Sequence, residues 1–161
     1  MASDKVEEIL NQWSVARPDI DCSSMGVIGR LRRVSDIWTS QLESVFKEFQ
    51  LSSIEFDILA TLRRSNKAIT PTELYNTLML SSGAVSTRIE QLVQRSLVER
   101  VASDHDRRSV KVTLTDKGTE LLDSALNAHV NNMDNMLVMF TTEEQEQLAA
   151  LLKKILLIEE T

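Results

Sequence analysis

The sequence predicts a mainly α-helical chain with one small β-hairpin. Three observations carry this. Apolar residues recur at helical spacing through most of the 161 residues, with only four Gly and two Pro among them. Three Ser/Thr-x-x-Glu capping boxes mark helix starts: Ser52 with Glu55, Thr70 with Glu73, and Thr141 with Glu144. Near residue 105 the period changes to two. Residues 98–101 suit one strand, and in 109–114 Val110, Val112 and Leu114 fall on one face of another.

The elements follow in order. Residues 4–15 form a short amphipathic helix with Val6, Ile9, Leu10 and Trp13 on one side. Arg17 before Pro18 ends it, because the residue preceding proline resists helix. A second helix runs from about 24 to 49. Its stripe is Val27, Leu31, Val34, Trp38, Leu42, Val45 and Phe49, suited to packing along another helix. Arg30, Arg32 and Arg33 on it read as a solvated or ion-paired face. Ser52 opens a third helix to about residue 64, with Ile54, Ile58 and Leu62 inside and Asp57 amid apolar neighbours.

The stretch 70–115 organises the rest. Thr70 caps, Pro71 takes the first helical position and Glu73 closes the box of a short helix to about residue 78. Ser81, Ser82 and Gly83 break the pattern, and Ser82 is read as the next cap. Val85, Ile89, Leu92 and Val93 then make one apolar stripe, while Gly83, Thr87, Gln91 and Gln94 point the other way. Two helices joined by a short turn, the second with a small polar outer face, form a helix-turn-helix. The hairpin that follows has a charged tip of Ser103, Asp104, His105, Asp106, Arg107 and Arg108. This is a winged helix-turn-helix: one helix for the major groove and a tip arginine for the minor groove. Thr115 caps a long helix from Asp116, with Leu121, Leu122, Ala125, Leu126, Met133, Met136, Leu137 and Phe140 on its buried side. In the last helix Leu148, Leu151, Leu152, Ile155, Leu156, Leu157 and Ile158 are apolar nearly all round, which demands partners on two sides.

The run SSGAVSTRIEQLVQRSLVER followed by DHDRRSVKVTLTDKG resembles the MarR family of bacterial transcriptional regulators. The DxDRR wing followed by VxLTxxG is its most specific part, and the flanking helices extend the resemblance over nearly the whole chain. One departure is Ser96, where the family usually ends its recognition helix with glycine. The resemblance implies a single domain over 1–161, with a winged lobe at about 52–115 and dimerisation helices at about 4–49 and 116–160. It also implies a DNA-contacting arginine at the wing.

Composition agrees with a DNA-binding lobe on an acidic body. The net charge is −6, but residues 61–117 hold ten Lys/Arg against six Asp/Glu, a net of +4. The remainder holds eight against eighteen, a net of −10. Such a split steers phosphate to one face. No apolar run reaches membrane-spanning length and the N-terminus has no signal-peptide core, so the expected location is the cytoplasm and no membrane partner is expected. No cluster of acids, bases or nucleophiles points to an enzyme. His105 and His129 lack ligand neighbours, His129 being read as a helix-surface residue, and neither metal nor cofactor is expected. Met133, Met136 and Met139 read as a packed stripe.

The expected function is a dimeric DNA-binding regulator, a repressor released from a pseudo-palindromic operator by a small molecule. Its DNA-binding residues are taken as Ser82, Ser86, Thr87, Gln91, Asp106, Arg107 and Arg108, with Ser82, Ser86 and Thr87 chosen because they sit in the first turns of the recognition helix. The effector residues are taken as Trp13, Asp57, Arg88 and Arg100. These four resemble the urate-responsive branch of the MarR family, which adds an N-terminal helix with a tryptophan before an RPD-like run, here Arg17, Pro18 and Asp19. That resemblance implies a urate-like purine, or equally an aromatic carboxylate. Each residue also has a plain structural role: Trp13 as a staple, and Asp57, Arg88 and Arg100 as members of ion pairs. Two alternatives stand beside this reading. One is a redox-sensing regulator using Cys22, the sole cysteine. The other is a winged-helix protein-interaction module.

Overall fold

The computed structural model describes residues 3–79, 81–102 and 110–159. It contains α1 (Lys5–Ala16), α2 (Ser23–Glu48), α3 (Ser53–Ser65), α4 (Pro71–Leu78), α5 (Ser82–Gln94), β1 (Val98–Ala102), β2 (Val110–Leu114), α6 (Asp116–Leu137) and α7 (Thr142–Glu159). The chain divides into two compact units, residues 1–41 and 42–161.

In the first unit one carboxylate does two jobs. Asp4 caps α1 by accepting the Glu7 N–H at 2.8 Å, and it accepts from Arg30 Nε at 2.7 Å and Nη2 at 3.1 Å. These bonds hold its pKa below the ordinary range, the guanidinium first and the Glu7 amide next. Arg30 is therefore ion-paired, as the sequence suggests. Val6 is buried, while Val27, Ile28, Leu31 and Val34 on α2 are solvent-facing in the single chain.

The second unit holds the main core. All three predicted capping boxes form, at Ser52, Thr70 and Thr141. Ile58, Leu59, Leu74, Ile89, Leu92, Val112 and Leu122 are fully or almost fully buried together. Phe46 brings the end of α2 into the same cluster. Arg63 ties α3 to α6 through paired bonds to Asp123 at 3.0 and 3.1 Å. β1 and β2 pair antiparallel with Val98 opposite Leu114. Ile69 adds a short bridge on the far side of β2, exchanging bonds with Val112 at 3.1 and 2.8 Å. The sequence reading did not anticipate that bridge. Its signal is an apolar residue just before a cap, the entry position of a helix staple. The stripe foreseen on α6 is buried at Leu122 and Ala125, but Leu126 faces solvent.

The join between α5, β1 and α6 is the tightest point. Leu97 N–H donates to Leu92 O at 3.0 Å and Ser96 N–H to Val93 O at 2.9 Å. These are the two bonds of a Schellman stop, with Ser96 left-handed at φ 57°. So the family departure at Ser96 keeps the glycine conformation without the glycine. α6 then closes on this turn. Thr115 N–H donates to Leu97 O at 3.2 Å, and its hydroxyl to Ser96 O at 2.8 Å. A Cβ on Gly118 would lie 1.9 Å from Leu97 O, which explains the glycine of the TDKG run.

Ser96→Gly is expected to stabilise the protein by about 1 kcal/mol, the cost of a left-handed side-chain-bearing residue. At fixed protein concentration the thermal midpoint should rise about 3 °C. Gly118→Ala should destabilise by about 3 kcal/mol or more, because the clash is with backbone. Chemical denaturation of both variants measures the two signs.

Candidate functional site

The outer face of α5 is built by its inner face. Val85, Ile89 and Leu92 are buried and lock the helix, and Ser82, Ser86, Thr87 and Gln91 stand on the solvent side. The cap is Ser81, not Ser82: its hydroxyl accepts the Ala84 N–H at 3.4 Å. The correction frees Ser82, the first residue of the helix, to keep its hydroxyl outward. Thr87 donates to Gly83 O at 3.0 Å, an internal bond that leaves its oxygen's remaining acceptor capacity facing out. Gly83 sits in open space, so its role is not close packing. Asp106, Arg107 and Arg108 lie outside the described residues. The strands that carry them are in place, with Val112 buried and Val110 exposed.

Three of the four effector residues stand on elements that pack on one another, α3, α5 and β1. Arg88 Nη1 donates to Gln91 Oε1 at 2.8 Å, an amide rather than the carboxylate its plain structural role required. Arg100 Nη2 donates to Glu90 Oε2 at 2.6 Å, so this arginine does pair with an acid and links α5 to the wing. Both side chains are solvent-accessible, and an exposed ion pair costs little to exchange. Asp57 projects from α3 into solvent, yet nearby atoms desolvate it enough to raise its pKa above the ordinary 3.8, with Arg64 and His129 partly opposing. Among the described residues it makes no hydrogen bond or close ion pair, with only the longer-range charges of Arg64 and His129 near it. Trp13 is 42 % exposed on α1, in the first unit. Arg17 and Asp19 beyond it form a forked pair at 2.9 and 2.7 Å. Cys22 is a free, half-buried thiol.

His129 departs from its expected place on the helix surface. Its ring lies 5.0 Å from Phe46 and 5.1 Å from Phe56, which themselves stack at 4.3 Å. Its Nδ1 is buried and has no hydrogen-bond partner among the described residues. The sequence offered only its spacing from Leu122 and Ala125 as a hint, since histidine is at home on either face. No group of three or more His, Cys, Asp or Glu among the described residues could hold a metal. No described helix is long and apolar enough to cross a membrane.

Comparison with known proteins gives this geometry a family. Residues 49–109 match the model of the MarR family. The HTH-type transcriptional regulator PecS of Dickeya dadantii is 40% identical over 153 residues, covering 94% of this chain and 92% of that one. The transcriptional repressor MprA of Escherichia coli K12 is 36% identical over 103 residues, covering 63% and 58%. The crystal structure of wild-type MarR from E. coli in its apo form superposes with a TM-score of 0.69 at 28% identity, covering 80% of this chain and 95% of that chain.

Burial pushes the His129 pKa below its ordinary 6.5, with Asp57 partly offsetting the effect. A base depressed in the folded state contributes stability that is present above the unfolded value and lost as pH falls through the folded one. Thermal melts should therefore decline from about pH 7.5 to 5.5. His129→Phe, which fills the aromatic cluster without titrating, should flatten that decline.

Proposed function

The chain belongs to the MarR family of DNA-binding transcriptional regulators, and on that premise we propose that it is a homodimeric repressor. It holds a pseudo-palindromic operator and is released by a small anionic aromatic or purine ligand. The observation that carries the DNA-binding part is α5: a helix locked by three buried aliphatic residues, with four small polar side chains outward. Such a helix end offers donors and acceptors to base edges in the major groove. Arg107 and Arg108 hold the wing on DNA, and Asp106 orients one of them.

The dimer reading rests on exposed apolar surface. Leu151, Ile155, Leu156 and Ile158 on α7 are all at least half exposed in the single chain. Soluble monomers rarely leave so contiguous a patch open, and a second copy would cover it. Two copies would set recognition helices about 34–36 Å apart, one turn of duplex.

The effector reading rests on Trp13, Asp57, Arg88 and Arg100. Arg88 and Arg100 spend their forks on exposed partners that a ligand oxyanion can replace. The resemblance adds Trp13 as a stacking partner. A ligand anion near Asp57 repels its carboxylate, and in this reading that repulsion displaces α5 through Arg88. A urate-like purine and an aromatic carboxylate both meet these demands, and urate is the first choice.

Gel shifts on the promoter duplex of the chain's own gene test the regulator, with two chains per site expected. Arg107→Ala and Arg108→Ala should each weaken binding and flatten the salt slope by about one unit per lost phosphate contact. Unchanged affinity and slope in both would remove the wing from the interface. For the effector, calorimetry without DNA should show urate binding at least tenfold weaker in Trp13→Ala and Arg88→Ala, about 1.4 kcal/mol. A ligand that releases wild-type protein and binds both variants equally would place the effector elsewhere.

A further inference from the structure

The end of α2 with the two residues after it, the α5–β1 turn and the first turns of α6 line an open pocket of about 470 Å³. That size lies within the range of small-molecule pockets, roughly 300–1,000 Å³. Phe49 and Leu121, both partly exposed, supply apolar walls, and Arg95 and Lys117 stand on the same lining. None of the effector residues Asp57, Arg88 and Arg100 lines it.

The two cations are held in different ways. Glu55 is buried and accepts from the Ser52 N–H at 2.8 Å and hydroxyl at 2.7 Å through Oε2. Its Oε1 accepts from Arg95 Nη1 at 3.3 Å. The capping acid of α3 therefore anchors one edge of the guanidinium. Among the described residues no second acceptor holds the other N–H groups of Arg95. Lys117 Nζ donates to the Arg95 carbonyl at 3.0 Å, a neutral acceptor that brings the ammonium to the same turn without matching its charge. A guanidinium fixed by one edge is ready to receive a carboxylate on another. Glu48, also on the lining, opposes a second negative charge on the ligand.

We propose that this cavity is a second small-molecule site, separate from the effector constellation, for a monocarboxylate with a compact apolar body. The carboxylate lies between Arg95 and Lys117, and the body covers Phe49 and Leu121. Since Arg95 and Leu97 bracket Ser96, occupancy stiffens the turn that joins the recognition helix to the wing.

Calorimetric titration of the full chain with 3-phenylpropanoate, without DNA and in an Arg88→Ala background, tests this. Binding in the millimolar range or tighter is expected, at least tenfold weaker with Lys117→Gln and recovered with Lys117→Arg. Phenethylamine, of similar shape and opposite charge, should not bind. Lys117 is exposed, so its replacement leaves the fold intact, checked by circular dichroism. Three results each overturn the proposal: no binding of the acid, equal binding of the amine, or an affinity indifferent to Lys117→Gln. Acid binding that wild type shows and Arg88→Ala abolishes belongs to the effector region and overturns it as well.

Discussion

The contact between Leu97 and the start of α6 governs the DNA-binding half of this protein. Leu97 O accepts the Thr115 N–H and leaves no room for a Cβ on Gly118. That approach fixes where the recognition helix stops, where the wing starts and where α6 departs. A backbone-to-backbone contact is less compliant than side-chain packing, since neither partner can change rotamer to relieve it. The orientation of α5 toward a duplex is thus set from its C-terminal end, away from the residues that would face bases.

The two faces of α5 illustrate a division of labour. Buried aliphatic residues hold the helix and have little freedom. The polar face touches nothing it needs for stability and is open to recognition. The wing follows the same logic, with Val98 and Val112 buried at its base and charge at its tip. Arg100 joins β1 to α5 through its ion pair with Glu90. The rest of the chain carries an acidic surplus, which is electrostatically unfavourable for phosphate.

Much of this was legible in sequence. The three capping boxes form as read, because a cap depends on residues three apart and little else. The strand pair follows from alternation, with bounds differing by about one residue, as is usual for element ends. Ser81 replaced Ser82 as the cap because adjacent serines satisfy the same pattern, and only the direction of the chain entering α5 chooses between them. His129 was misplaced for a related reason: the helix face it takes depends on Phe46 and Phe56, which are far away in sequence.

The sequence alone determined the helical class, the winged helix-turn-helix order, the charge split and the buried stripe of α5, since all of these arise from local spacing and composition. The tertiary structure decided which arginines carry partners and of what kind. It showed Arg88 on an amide, Arg100 on a carboxylate and Arg95 on a buried capping acid. It also turned Gly118 from a letter in a motif into a steric requirement and gave Ser96 its left-handed turn. The Arg88–Gln91 bond and the Ser96 turn are local, but the Arg100–Glu90, Arg95–Glu55 and Gly118–Leu97 contacts join positions 10 to 40 residues apart. No periodicity encodes such distances; packing of the whole unit does.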